Sequence, residues 1–183
     1  VEQDPSEPEG ESLQWNCSRR GGGIMKALPA FAIFLKEKIV KVHAPDKSRA
    51  EFLLNEAVKS YAFLQEMIQK IELRNENANE YIKICHDVIL ELIRARMLWD
   101  GFHAVGPGAH EAEVSYLRVL GFKENEVQFV NQLRFFRNGM LYYGTILDKE
   151  YAQKVSEFTQ KNFLKFKELA AGKWYEFSLA EQL

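Results

Sequence analysis

The chain has 183 residues, of which 46% are hydrophobic and 13% aromatic. These values predict a folded domain with a substantial core and argue against disorder. The net charge of -2 at pH 7 excludes the global positive field that drives non-specific nucleic-acid binding, so any such contact must be a local patch.

Cys17 and Cys85 lie far apart and have no partners at metal-ligand spacing. This predicts neither a disulfide framework nor a zinc site and fits a reducing, cytoplasmic setting. The apolar run "ALPAFAIFL" is too short to span a bilayer, and the charged "KEK" that follows does not resemble a signal-peptide cleavage site. We therefore expect a cytoplasmic protein with no membrane contact, no metal ion and no cofactor.

The first segment, residues 1–24, is acidic and then rich in Pro, Ser and Gly, without apolar periodicity. We expect a flexible leader or a cloning remnant here, with Met25 as a candidate natural start. The folded domain is expected to cover residues 25–183.

From Met25 onward the apolar residues recur at helical spacing. The first stripe, which predicts a helix ending at "HAPD", consists of Leu28, Phe31, Leu35, Ile39 and Val42. The following helices are predicted at roughly 45–74 with an N-cap at Asp46, from "RNENAN" to Trp99, at 109–120, at 124–147, and from an N-cap at Asp148 to about Ala170.

The second predicted helix carries an inward stripe of Leu53, Ala57, Tyr61, Leu64, Ile68 and Ile71. No run of alternating Val, Ile and Thr predicts a strand. The fold class is therefore all-α, an antiparallel helical bundle of about five to six helices with short loops.

The helix predicted at 124–147 is unusual because polar residues are sorted onto one of its sides. Its apolar stripe consists of Phe129, Leu133, Phe136, Met140, Tyr143 and Leu147. The opposite side carries Asn131, Arg134, Asn138 and Tyr142, flanked by Arg137 and Leu141. A guanidinium presents a planar set of donors that suits phosphate, and an amide or phenol can orient a nucleotide, so this side is a candidate binding surface.

Several segments resemble those of the HEPN family over about residues 46–170. They are the helix beginning "DKSRAEFLLNEAVKSYAFLQEMI", the next beginning "NEYIKICHDVILELIRARMLWDG", the Gly-Pro-Gly loop with His110, and "LRFFRNGMLYYGTILDKEYAQKVSEF". The most specific part is an Arg followed by a polar residue and, a few residues later, by His or Tyr and Gly. Arg137-Asn138 and Tyr142-Tyr143-Gly144 stand at those places.

The resemblance implies a helical bundle that dimerises and brings the motif Arg of both copies to a shared groove. Many HEPN proteins are metal-independent ribonucleases, and others are toxins neutralised by a partner minimal nucleotidyltransferase. By resemblance, Arg137 and Tyr142 take the catalytic positions, and Arg134, Asn138 and His110 are assigned to RNA or nucleotide binding. Position 142 is Tyr where the ribonucleases carry His, and a phenol is a poor general base at neutral pH.

Three hypotheses follow from these residues. The first is a protein that binds RNA or a nucleotide in a homodimer groove, as part of a toxin–antitoxin or nucleotidyltransferase pair. The second is a metal-independent endoribonuclease that uses Arg137 with Tyr142 or a loop histidine, His103 or His110. The third is a helical oligomerisation scaffold, for which the polar side would be dispensable. Phe135 and Leu141 lie off the apolar stripe and favour a homodimer.

Two further polar residues fall close to apolar stripes. Arg96 is expected to form a structural ion pair or to cover apolar surface with its stem. His86 is expected to be a hydrogen-bonded packing residue.

Overall fold

The computed structural model describes residues 27–143 and 146–172, and the side chains of 141–143 lie outside the described part. In these ranges the chain forms α1 (Phe31–Lys36), β1 (Val40–Val42), α2 (Lys47–Lys70), α3 (Ala78–Trp99), β2 (Phe102–Ala104), α4 (Ala109–Val119), α5 (Glu124–Tyr143) and α6 (Lys149–Ala170). The all-α prediction is confirmed. The expected leader, residues 1–24, lies outside the described residues, and no described helix is long and apolar enough to cross a membrane.

α2 and α3 form a helical hairpin whose ends are fixed by polar side chains. Asp46 caps α2, because its carboxylate accepts a hydrogen bond from the backbone N–H of Arg49 at 3.0 Å. At the other end, the hydroxyl of Tyr81 donates to the backbone carbonyls of Ile71 at 2.7 Å and Met67 at 3.1 Å. These bonds attach the last turn of α2 to the first turn of α3.

α3 is the central helix and packs against α2, α4, α5 and α6. It is buried on nearly all sides, with Ile82, Cys85, Val88, Leu92 and Ile93 at most 1% exposed. The thiol of Cys85 lies 3.8 Å from the hydroxyl of Ser156 on α6, and burial raises the pKa of the thiol to about 11. Cys85 is therefore a packing residue.

α5 packs on α6 through aromatic pairs. Phe129 stands against Phe158 and Phe136 against Tyr151, with ring centroids 4.5 and 5.1 Å apart. α6 begins as predicted, because the carboxylate of Asp148 accepts from the Tyr151 N–H at 2.8 Å.

The first predicted helix is wrong beyond Lys36. Lys38 adopts φ of 60°, which a continuing helix does not allow, and the chain then extends into β1. β1 pairs antiparallel with β2, so that Val40 lies opposite Ala104 and Val42 opposite Phe102. Three-residue strands are too short to show their own periodicity, and the partner strand is distant along the chain.

Two other boundaries differ from the prediction. α2 ends at Lys70, and Ile68 and Ile71, which were expected to face the core, are 37% and 46% exposed. α5 ends at Tyr143 instead of residue 147, and Ile146 is 79% exposed. The apolar spacing continues past both helix ends, so spacing alone could not locate them.

Candidate functional site

The polar side of α5 faces its helical neighbours more than solvent. Asn131 is fully buried and Arg134 is 8% exposed. The Nη1 group of Arg134 donates to Oε1 of Glu111 on α4 at 2.7 Å, while Nε and Nη2 donate to Oδ1 of Asn131 at 3.1 and 3.0 Å. Burial lowers the pKa of Arg134, and Glu111 opposes that effect. The Arg134 guanidinium, expected to contact RNA, is thus engaged inside the fold.

Arg137, one turn further along α5, has a different environment. Its Nε and Nη1 atoms are buried and have no hydrogen-bond partner among the described residues. Asn138 follows it and is half-buried. The side chain of Tyr142 lies outside the described residues, so Arg137 and Asn138 are the motif residues whose side chains the structure describes.

α3 lies beside Arg137, and two of its residues, His86 and Asp87, are close to this part of α5. His86 is 7% exposed, and its Nδ1 lies 2.9 Å from Oδ1 of Asp87. Burial tends to raise the pKa of Asp87, but the hydrogen bond with His86 and the positive charges of Arg137 and Arg94 outweigh it, so the pKa is lowered. The expectation that His86 is a hydrogen-bonded packing residue is confirmed.

Unsatisfied polar atoms are concentrated on these two helices. Seven buried side-chain nitrogen or oxygen atoms of the described residues have no partner. Five of them are on α3 and α5: His86 Nε2, Glu91 Oε2, Asn131 Nδ2, and Nε and Nη1 of Arg137. Buried polar groups are nearly always paired, and an unpaired one costs free energy. The positive charge of Arg137 on α5 acts on Asp87 of α3, which also contacts His86. We call the region formed by His86, Asp87 and Arg137 the α3–α5 face.

His110 lies in the first turn of α4, beside α3. Its Nε2 is 3.4 Å from Nη2 of Arg94, whose Nε and Nη2 also donate to the two carboxylate oxygens of Glu113 at 2.7 and 3.1 Å. Burial lowers the pKa of His110. The charges of Arg94 and His86 also lower this pKa, whereas the charge of Glu113 raises it. This shift favours the neutral form of the imidazole.

A cleft of about 400 Å³ opens next to His110, between α2, α3, the segment after β2 and α4. Its lining comprises Arg49, Leu53, Arg94, Met97, Leu98, Phe102, His103, Ala104, Val105, Gly106, Ala109, His110 and Glu113. No α5 residue is among them. Arg49 and Arg94 have no signature in the sequence, because four separate segments contribute to the cleft and no local spacing connects them.

Arg96 is a structural residue, as one of the sequence alternatives expected. Its Nε donates to Oδ2 of Asp100 at 2.7 Å, and its Nη1 donates to the Leu169 carbonyl at the end of α6 at 3.1 Å. The Tyr116 hydroxyl donates to the same Asp100 oxygen. This network ties α3 to α4 and α6.

Among residues 27–143 and 146–172, no group of three or more His, Cys, Asp or Glu side chains is placed to hold a metal ion. Comparison of the chain with protein-family models, curated proteins and solved structures finds no match.

Proposed function

We propose that this chain is a HEPN-like protein that binds RNA or a nucleotide through phosphate on the α3–α5 face, in a groove shared by two copies. The observation that carries the proposal is Arg137, whose Nε and Nη1 are buried without an acceptor. A phosphate oxygen is the acceptor that a guanidinium fork fits best.

The charge around Arg137 is consistent with a restricted phosphate contact. With a net charge of -2 the chain has no general affinity for polyanions, and Asp87 places a carboxylate near the guanidinium. Asn138, the next residue, adds an amide that can donate to a base or a sugar. We expect one or a few oriented phosphates to be bound at this face.

The resemblance to HEPN proteins also implies a protein partner. By its resemblance to HEPN proteins, the chain would be paired with a minimal nucleotidyltransferase, in a toxin–antitoxin or nucleotidyltransferase pair. Co-purification of the chain with the product of a neighbouring reading frame tests this partner.

A metal-independent endoribonuclease is the second candidate function, and His86 is the observation that favours it. The HEPN motif lacks its histidine here, but His86 supplies an imidazole from α3, oriented through Nδ1 by Asp87 and with Nε2 unpaired. In such a reaction a base takes the 2′-hydroxyl proton, the 2′-oxygen attacks phosphorus, and the 5′-oxygen leaves with a proton from an acid. Arg137 would stabilise the charge on the phosphate.

Replacing Arg137 with Ala tests the binding function. We expect RNA or nucleotide binding to weaken roughly ten- to a hundredfold, since a charge-assisted contact contributes about 1.5 to 3 kcal/mol. The free energy of unfolding should fall by no more than about 1 kcal/mol, because the buried Nε and Nη1 donate no hydrogen bond within the described structure. Fluorescence anisotropy with a labelled oligoribonucleotide and urea unfolding measure the two quantities.

Arg74→Ala is the matched control, because Arg74 is 65% exposed and its only ion pair among the described residues is with Glu72 at 3.5 Å. Unchanged RNA binding in the Arg137 variant together with a large loss of stability would make Arg137 a structural residue. The ribonuclease candidate is tested with His86→Asn in the presence of a chelator, and cleavage equal to that of the parent would eliminate His86 as the imidazole.

A further inference from the structure

We propose that the cleft of about 400 Å³ beside α4 is a second binding site, for a small organic phosphate that carries an apolar or planar body. The site is distinct from the α3–α5 face, since no α5 residue lines it. Its volume lies within the range of small-molecule pockets, roughly 300 to 1,000 Å³.

The cationic side of the cleft consists of Arg49 and Arg94. Arg49 is exposed in the first turn of α2, and its guanidinium forms no hydrogen bond or ion pair with the described residues. Arg94 uses Nε and Nη2 for Glu113 and His110, whereas no described residue accepts from its Nη1. Unused donors of two guanidinium groups therefore belong to one concave surface.

Phosphate suits these donors better than carboxylate does. A carboxylate has two oxygens, which one guanidinium fork satisfies, as Glu113 already shows with Arg94. A phosphate monoester has three terminal oxygens and can accept from two guanidinium groups that belong to different helices. Arg49 and Arg94 are on α2 and α3, respectively.

Part of the remaining lining is apolar, beside the polar side chains of His103, His110 and Glu113. Met97 and Leu98 are buried residues of α3, and Phe102 is held by edge-on contacts to Phe31 and Tyr116, with ring centroids 5.4 and 5.8 Å apart. Such a surface gains free energy by covering the apolar part of a ligand. Inorganic phosphate would leave it uncovered, so the ligand must carry an organic body.

The test uses the full chain and 1-naphthyl phosphate as the probe in isothermal titration calorimetry. We expect saturable binding that is at least tenfold tighter than that of inorganic phosphate, 1-naphthol or 1-naphthoate. Arg49→Ala should weaken probe binding roughly ten- to a hundredfold while the melting temperature stays unchanged, and Arg74→Ala should bind like the parent. A nucleoside 5′-monophosphate and a 5′-phosphorylated oligoribonucleotide then distinguish a free metabolite from an RNA end.

Three results would overturn the proposal. The first is the absence of binding by 1-naphthyl phosphate at millimolar concentration. The second is equal affinity for 1-naphthoate, which would contradict selection of phosphate. The third is a loss of probe binding in Arg137→Ala but not in Arg49→Ala, which would place the ligand on the α3–α5 face and support the proposed function alone. Two separate sites would be established by the opposite pattern, in which Arg137→Ala loses only RNA binding and Arg49→Ala loses only probe binding.

Discussion

Four arginines of this chain differ in the hydrogen-bond acceptors that surround their guanidinium groups. Arg134 has its donors engaged by Asn131 and Glu111, and Arg96 has Asp100 and a backbone carbonyl. Arg137 has buried donors without acceptors, and Arg49 has an exposed, unpaired guanidinium. The first two stabilise the fold, and the last two are among the side chains that we propose bind an anion.

Arg96 provides a test of the structural class. Arg96→Ala removes one partner of an ion pair whose side chains are 14% and 15% exposed, and leaves the carboxylate of Asp100 without its counter-charge. We expect the free energy of unfolding to fall by about 3 to 5 kcal/mol. Lys59→Ala, which removes an exposed ion pair with Glu56, should cost about 0 to 1 kcal/mol. Urea unfolding measures both, and equal losses would contradict the structural role of Arg96.

At the residue scale the sequence predicted what local chemistry determines. The N-caps at Asp46 and Asp148 were found because an acceptor before a helical stripe has a local signature. The burial of Asn131 and Arg134 was not predicted, because helical spacing shows which residues share a side but not which element covers it. Glu111, the partner that buries Arg134, belongs to another helix.

At the element scale α5 is the helix that connects the core to the candidate site. Its Phe129 and Phe136 pack on α6, while Asn131 and Arg134 are covered on the α4 side. Helices were predicted well because long apolar stripes specify them, whereas β1 and β2 depend on pairing between distant segments. The cleft could not be predicted either, because its lining residues also come from segments that are distant along the chain.

The junction between α4 and α5 should respond to acid through Glu124. Hydrogen bonds from Arg118 and Gln128 lower the pKa of this exposed carboxyl to about 2, against an unfolded value of about 4.3. Because the folded pKa is depressed, the stabilisation is fully present above pH ~4.3 and is lost as the pH falls from there toward about 2. Glu124→Gln should therefore be less stable than the parent at pH 6.

The difference between parent and Glu124→Gln should narrow as the pH falls from 4 to 3, which urea midpoints at pH 6, 4 and 3 will show. Glu150→Gln serves as the control, because the side chain of Glu150 has no hydrogen-bond partner among the described residues. A constant difference at all three pH values would contradict the contribution of the Arg118–Glu124 pair.

At the scale of the whole molecule, the proposed shared groove requires a homodimer. Phe135 is half-buried within one chain and lies beside Phe136 on α5, with ring centroids 6.0 Å apart. We expect the chain to sediment as a dimer at micromolar concentration and Phe135→Glu to sediment as a monomer with unchanged helicity, because a charge in an apolar interface is costly. Phe63→Glu, at a 55% exposed position on α2, should remain dimeric. A monomeric parent would defeat the shared-groove proposal.

The β1–β2 pair has a consequence for the order in which the molecule assembles. The α2–α3 hairpin joins neighbouring segments, whereas pairing Val40 with Ala104 must close a loop that contains both of those helices. The entropy of that closure opposes early formation, so α1 and β1 should dock after the hairpin has formed and should be the first part to detach. The backbone N–H of His43 donates to the Gly101 carbonyl and that of Val105 to the Ile39 carbonyl. Because the segment after β2 also borders the cleft, a ligand there would slow amide exchange at His43 and Val105 more than in the middle of α3.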